Sequence, residues 1–287
     1  KGWDCIYKNL ISNKYPWVKN SYDIWYPPEQ REEIDRMIAA KNDKMKGSGQ
    51  ADAFSAKKEC MSFKIYPIFL KNSSAADKAP IVSFHLCDGA VTDFKSEKKS
   101  AIVIASHESC VPVCGGVLEA VFESGGEKLR LDTINIEVQK ELSDPLLGEV
   151  RCMVGDAKMV VSGTDENYGQ LNVKHVIYAA GPSYGHAFTQ SDKKDELLQS
   201  AYRKSLDEAK KAGLEAVAFS LMSSGTRNSW WDPERPLRIA VKTIRDYGEY
   251  ARESGGYGSL EEIYLCAFTA KERKELESIA DEYWREV

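Results

Sequence analysis

No apolar stretch approaches the ~18–20 residues that a bilayer-spanning helix needs, so no membrane-spanning helix is expected. No cluster of Lys and Arg stands out and the formal net charge is −5, which argues against a nucleic-acid-binding protein. A G-x-G-x-x-G opening a helix is missing, and so is a Lys-bearing phosphate loop, so the familiar dinucleotide and P-loop nucleotide sites are not expected. A disulfide framework is missing too. The seven cysteines (Cys5, Cys60, Cys87, Cys110, Cys114, Cys152 and Cys266) are odd in number and irregular in spacing, and several sit in apolar runs. Reduced, buried thiols in a cytosolic protein fit that usage. The closest pair, Cys110 and Cys114, has no second pair to complete a tetrahedral set, so no metal is expected. The opening residues Lys1-Gly-Trp-Asp-Cys-Ile6 lack the pattern of a secretory leader and do not begin with Met, so a leader upstream stays open. The expected location is the cytoplasm, with a secreted effector as the alternative.

What is present suits one large domain, or one ordinary domain with an extension: 287 residues, of which 43% are hydrophobic. Residues 1–30 are rich in Trp and Tyr and end at Pro27-Pro28; they read as an ordered arm on the main domain or as a binding face. Residues 29–46 read as a helix, acidic at its start and basic at its end. Residues 62–70 read as a strand, and Pro67 within it argues for a sheet edge. A polar linker, 72–78, divides an extension over 1–79 from a main domain over 80–287.

In the main domain, apolar runs alternate with helical patterns. Strands are predicted over 80–87, 101–105, 157–162, 173–180, 216–219 and 262–268. Helices are predicted from Val117, over 130–142, 195–212 and 237–252, and from Thr269 to Trp284, with Thr269 and Glu272 at capping-box spacing. This order predicts an α/β three-layer domain: a mixed, largely parallel sheet with helices on both faces. Ligands of such sheets bind beyond the carboxyl ends of the strands. Four loops fall at comparable ends: Asp88-Gly89, Ser106–Gly116, Gly181–Tyr184 and Ser223–Trp231. The last is rich in small hydroxyl residues and leads into a helix. It can cradle a phosphate with its N–H groups, or it simply turns the chain.

The ordered set of loops resembles the macro domain family, which binds ADP-ribose, over about residues 81–286. Asp88-Gly89 is similar to the family's adenine-binding Asp. Ala101-Ile-Val-Ile-Ala-Ser-His107 is similar to its second strand, which normally leads to an Asn. Gly115-Gly116-Val117 matches the glycine loop that covers the phosphates, and Ala218-Phe-Ser-Leu-Met-Ser-Ser-Gly225 matches the second phosphate loop. Gly155-Asp-Ala157, Val176-Ile-Tyr-Ala-Ala-Gly-Pro182 and the Ala201-Tyr202 helix follow in family order. The resemblance implies a ligand site of Asp88, Gly89, Ser106, Gly115, Gly116, Val117, Ser223, Ser224, Gly225, Thr226, Arg227, Asn228 and Trp230. The implied partners are ADP-ribose and an ADP-ribosylated protein, with no cofactor, and the chain is expected to act as a monomer. Trp230 or Trp231 can stack on a ribose or base, or belong to the core.

The departures point to a divergent branch. Where hydrolases of the family carry an acid after a Val, this chain has Leu118 and then Glu119, and the family's Asn positions hold Ile104 and His107. The branch it resembles is the arginine-specific macro domains, first seen in a bacterial effector that removes ADP-ribose from ubiquitin. Release of ADP-ribose from a side chain passes through an oxocarbenium-like transition state, which a carboxylate stabilises or supplies with activated water. Glu119, Asp232 and His107 are the candidate catalytic residues, with Glu108 a further acid. Each also has a plainer reading. Glu119 suits the first turn of any helix, Asp232 suits an N-cap before Pro233, and His107 is a lone loop residue. A hydrolase and a non-cleaving ADP-ribose reader therefore both stand.

Overall fold

The computed structural model describes residues 60–69, 81–111, 116–141, 149–184, 191–224, 232 and 234–285. The aromatic arm and the helix expected over 29–46 lie outside them. The chain divides into two compact units, Lys1–Lys57 with Val138–Val150, and Lys58–Glu137 with Arg151–Val287. In the described part of the first, the Gln139 amide donates to the Val150 carbonyl at 2.8 Å.

The second unit holds a seven-stranded sheet in the order β1-β2-β7-β6-β3-β5-β4. The strands are β1 (Met61–Ile68), β2 (Val82–Asp88), β3 (Ser100–Ser106), β4 (Ala157–Val161), β5 (His175–Ala180), β6 (Ala216–Ser220) and β7 (Glu262–Ala267). The five inner strands run parallel, and β1 and β4 pair antiparallel at the two edges. The described helices are α1 (Val117–Ile134), α2 (Ser191–Lys211), α3 (Glu234–Tyr250) and α4 (Ala270–Arg285). The predicted three-layer architecture is what forms.

The apolar runs are legible because the inner strands are covered on both faces. Ile102, Ile104, Val176, Tyr178 and Ala218 face the layer that holds α1. Ala101, Val103, Ile177, Val217, Phe219, Ile263 and Leu265 face α2, α3 and α4. At the β1 edge, Pro67 cannot donate to a ladder, and its free carbonyl instead accepts the Trp284 indole N–H at 2.7 Å. The Trp284 ring stacks on Phe84 with centroids 5.5 Å apart, fastening α4 to this end of the sheet.

One expectation is corrected. The helix predicted over 130–142 is instead the second half of α1, which ends at Ile134 with Asn135 as its C-cap. Gly126, at φ 70° and ψ −165°, kinks α1 in the middle. The kink frees the Ser124 carbonyl to accept the Gln170 amide at 2.7 Å. The approach is so close that a Cβ on Gly169 would lie 2.4 Å from that carbonyl. Leu129 and Thr133 are the last buried residues of the helix. Beyond them, Ile134, Ile136 and Val138 are β-branched and carry a helical penalty that no buried face offsets.

Two buried histidines give the fold an acid-sensitive element. His85 stacks on Tyr264 at 4.4 Å, with Nδ1 3.2 Å from Ser62 Oγ and a buried Nε2 that has no hydrogen-bond partner among the described residues. Burial holds both His85 and His175 below the ordinary 6.5; Glu262 opposes that shift at His85, and Lys98 adds to it. The unfolded chain therefore takes up protons near pH 6.5 before the folded chain does. The stability from these neutral rings is complete above that pH and is lost as pH falls from 6.5 through the folded values. Thermal melts at pH 7.5 and 5.5 are expected to show a drop in Tm that shrinks in His85→Phe. An equal drop in the variant would contradict this account.

Candidate functional site

Because β2, β7, β6, β3 and β5 are parallel, their carboxyl ends share one edge of the sheet. Helices α1, α2, α3 and α4 follow β3, β5, β6 and β7 in the chain, so each begins at that edge. Each presents N–H groups and the positive end of its dipole there. The loops leaving Asp88, Ser106, Ala180 and Ser220, predicted to gather, all emerge from this edge.

Gly116 begins α1. Its φ of 83° and ψ of −159° lie in a region that is essentially glycine-only, and no described side chain caps the helix. A Cβ at this position would meet no atom of a described residue within 4 Å. Val117 opens the helix, Leu118 is buried in the core, and Glu119 is half-buried in the first turn. Glu119 forms no ion pair with a described residue.

The turn after β3 is fixed by its backbone. The Ser106 hydroxyl and the Cys110 amide both donate to the His107 carbonyl, at 2.9 and 3.0 Å. The amides of Arg151 and Cys152 donate to the Glu108 carbonyl at 2.8 and 2.9 Å. These bonds leave the side chains of His107 and Glu108 exposed.

The turn after β6 is tied down at three points. Ser220 Oγ accepts the Ala105 amide at 3.0 Å, and the Tyr202 hydroxyl lies 3.2 Å from the Met222 amide, which donates to it. Ser223, at a left-handed φ of 58°, donates its hydroxyl to the Pro182 carbonyl at 2.8 Å. The turns after β5 and β6 are therefore locked together. Gly181 permits this, since a Cβ there would lie 2.6 Å from Ser223 Oγ. Ser223 thus offers a ligand its backbone, its hydroxyl being already engaged, and Ser224 follows it, half-buried.

At the far end of the same edge, Asp88 closes β2 and Gly89 donates its amide to the Ala267 carbonyl at 3.0 Å. Asp88 Oδ2 is 3.0 Å from Arg273 Nη1, and that guanidinium lies over the Phe63 ring at 4.4 Å. Asp232 Oδ1 accepts the amides of Glu234 and Arg235 at 3.1 and 3.3 Å, which makes it the N-cap of α3. It also lines a cavity of about 250 Å³ with Arg235, Arg238 and Tyr283. Gly115, Gly225, Thr226, Arg227, Asn228, Trp230 and Trp231 lie outside the described residues.

Two connections have no trace in the sequence. One is the Arg273–Asp88 pair. The other joins Arg235 to Asp195: Nε and Nη2 reach Asp195 Oδ2 at 2.9 and 2.7 Å, and the Tyr184 hydroxyl donates to Oδ1 at 2.8 Å. This trio binds the start of α3 to α2 and to the turn after β5. Burial, then the bond to Asp195, pushes the Tyr184 hydroxyl up, so it stays protonated and donating. Asp195→Ala is expected to cost about 2 kcal/mol, the scale of lost charge-assisted hydrogen bonds. Urea unfolding of both proteins checks this, and an unchanged midpoint would contradict it.

A three-layer α/β fold with a mixed sheet, its carboxyl edge gathering the turns and the starts of four helices, defines the class. Sequence comparison supplies the family. The Macro domain family model matches residues 108–237. A macro domain-containing protein of Caldanaerobacter subterraneus is 31% identical over 164 residues, covering 57% of this chain and 80% of that protein. One from Methanosarcina mazei is 30% identical over 157 residues, covering 54% and 70%. Among solved structures, the Oceanobacillus iheyensis macrodomain with MES bound superposes with a TM-score of 0.55 at 21% identity, covering 72% of this chain and 95% of that one. The chain belongs to the macro domain family.

Proposed function

We propose that this protein binds ADP-ribose at the carboxyl edge of its sheet and removes it from modified proteins by cleaving the bond to an arginine side chain; ADP-ribosylated ubiquitin is one candidate substrate. The observation that carries the reading is the start of α1. There a glycine at φ 83°, with no atom of a described residue within 4 Å of where its Cβ would be, is followed within one turn by Glu119. A pyrophosphate accepts the N–H groups of that turn and those of the turn after β6, which the Ser223–Pro182 bond holds beside the turn after β5. Asp88, at the end of β2, is the acceptor for the adenine amine. The Oceanobacillus iheyensis macrodomain has been solved with ADP, and a mutant of it with ADPR, which supports this ligand class.

In the reaction, the bond from C1″ of the distal ribose to the arginine nitrogen breaks, and water supplies the oxygen that replaces it. Glu119 is the carboxylate that balances the developing positive charge or takes the proton from that water. His107 borders the site from the turn after β3. Asp232, with two amides on one oxygen, sets the start of α3, and Asp232→Asn distinguishes that role from chemistry. The protein works as a monomer, without a cofactor.

A second reading, a reader that binds without cleaving, is favoured by Leu118, which is buried where hydrolases of the family carry their acid. Incubation with arginine-, serine- and glutamate-linked ADP-ribosylated proteins separates the two. Release from the arginine-linked substrate alone is expected. Release from none of them makes the protein a reader.

A further inference from the structure

Three cysteines far apart in the chain meet at the Asp88 end of the sheet. Cys87 on β2 and Cys266 on β7 are register partners on adjacent parallel strands. Cys60 immediately precedes β1, whose first residue, Met61, pairs with Asp88. Cys60 Sγ lies 3.4 Å from Cys266 Sγ. All three are free thiols, with Cys60 half-buried and the other two buried. Nothing in the ADP-ribose reading uses them.

We propose that Cys60 and Cys266 form a peroxide-reactive thiol pair that closes into a disulfide at the Asp88 end of the sheet. The geometry gives the two sulfurs different roles. Cys60 is reachable from solvent and stands outside the β1 ladder, so it can move the roughly 1.4 Å that separates a thiol contact from an S–S bond. Cys266 is held within β7 and waits as the resolving thiol. The electrostatics divide them in the same sense. Donation from Cys266, then from Cys87, holds the Cys60 thiol well below its ordinary range, against burial and the charge of Asp88. Cys266 is pushed up by Cys60, by Cys87 and by burial. A low-lying, accessible thiolate beside a protonated thiol is the arrangement that oxidation to a disulfide needs.

The chemistry balances with a hydroperoxide as oxidant. The Cys60 thiolate attacks one peroxide oxygen, the O–O bond breaks, and hydroxide leaves with Cys60 as sulfenic acid. The Cys266 thiol then gives up its proton and attacks the Cys60 sulfur. The S–O bond breaks, the S–S bond forms, and the departing hydroxide takes up the proton as water. Two thiols are oxidised by two electrons in all, and one peroxide is reduced.

The fold contains its own control. Cys110 and Cys152 are also free thiols, but both are fully buried. The full chain is treated with hydrogen peroxide, the remaining thiols are alkylated, and a digest made without reductant is mapped by mass spectrometry. A peptide linking Cys60 to Cys266 is expected, with Cys110 and Cys152 recovered alkylated. Cys266→Ser should leave Cys60 as a sulfenic acid trapped by dimedone, and Cys60→Ser should remove both products. Absence of the Cys60–Cys266 link, or Cys60 joined to any other cysteine, overturns the proposal. The wild-type map decides the pairing even if a variant fails to fold, and no ADP-ribose ligand is needed.

Discussion

Glu119→Gln is expected to slow release of ADP-ribose from an arginine-linked protein by about 10²–10³-fold while leaving affinity for free ADP-ribose nearly unchanged. The split follows from where Glu119 sits. It is in the first turn of α1 and half-buried, and it has no ion pair among the described residues whose loss would disturb the fold. Gln keeps the shape but cannot balance an oxocarbenium charge or accept a proton from water. The first-turn amides that would hold the pyrophosphate belong to the backbone and stay. Single-turnover release read beside a binding titration checks the split. A variant that cleaves at the wild-type rate removes Glu119 from the chemistry. If Asp232→Asn then abolishes cleavage with α3 intact, the acid role passes to the α3 cap.

Gly116→Ala is expected to weaken ADP-ribose binding by about 10- to 100-fold with a smaller loss of thermal stability. The backbone at φ 83° and ψ −159° is open to glycine and strained for any residue with a Cβ, at about 1–3 kcal/mol. The chain is expected to relieve that strain by turning the Gly116 peptide, and the N–H groups proposed to hold the phosphates would turn with it. The new methyl group also meets no described residue within 4 Å and would project toward the proposed ligand. Binding measured by calorimetry, together with a melt, separates the two effects. A variant that binds like the wild type would show that the start of α1 does not hold the phosphates.

The parts of the fold legible from sequence are those whose physics is local or periodic. The inner strands show as apolar runs because both faces are covered, and Pro67 marks the edge because it cannot pair on both sides. The α4 cap is reciprocal, as Thr269 and Glu272 predict: the Thr269 amide reaches Glu272 at 2.8 Å, and the Glu272 amide reaches the Thr269 hydroxyl at 3.2 Å. The sequence reads α1 as two helices because Gly125-Gly126 carries the pattern of a helix end, whereas in the fold the 168–171 turn fills the kink and the helix continues to Ile134. The site divides in the same way. Asp88, Ser106, Gly116 and Ser223 come to one edge because strand order puts them there. What Asp88 and Ser223 do with their side chains is decided by Arg273, 185 residues away, and by Pro182, 41 residues away. The Cys60–Cys266 contact spans 206 residues. No spacing rule reaches so far.

This edge of the sheet is the proposed ADP-ribose site. Titration of the full chain with free ADP-ribose in a calorimeter tests it most directly. Saturable one-to-one binding, with Kd about 10 µM or tighter, is the predicted result. Absence of binding heat at millimolar ADP-ribose, at two temperatures so that a zero enthalpy does not mislead, would contradict it.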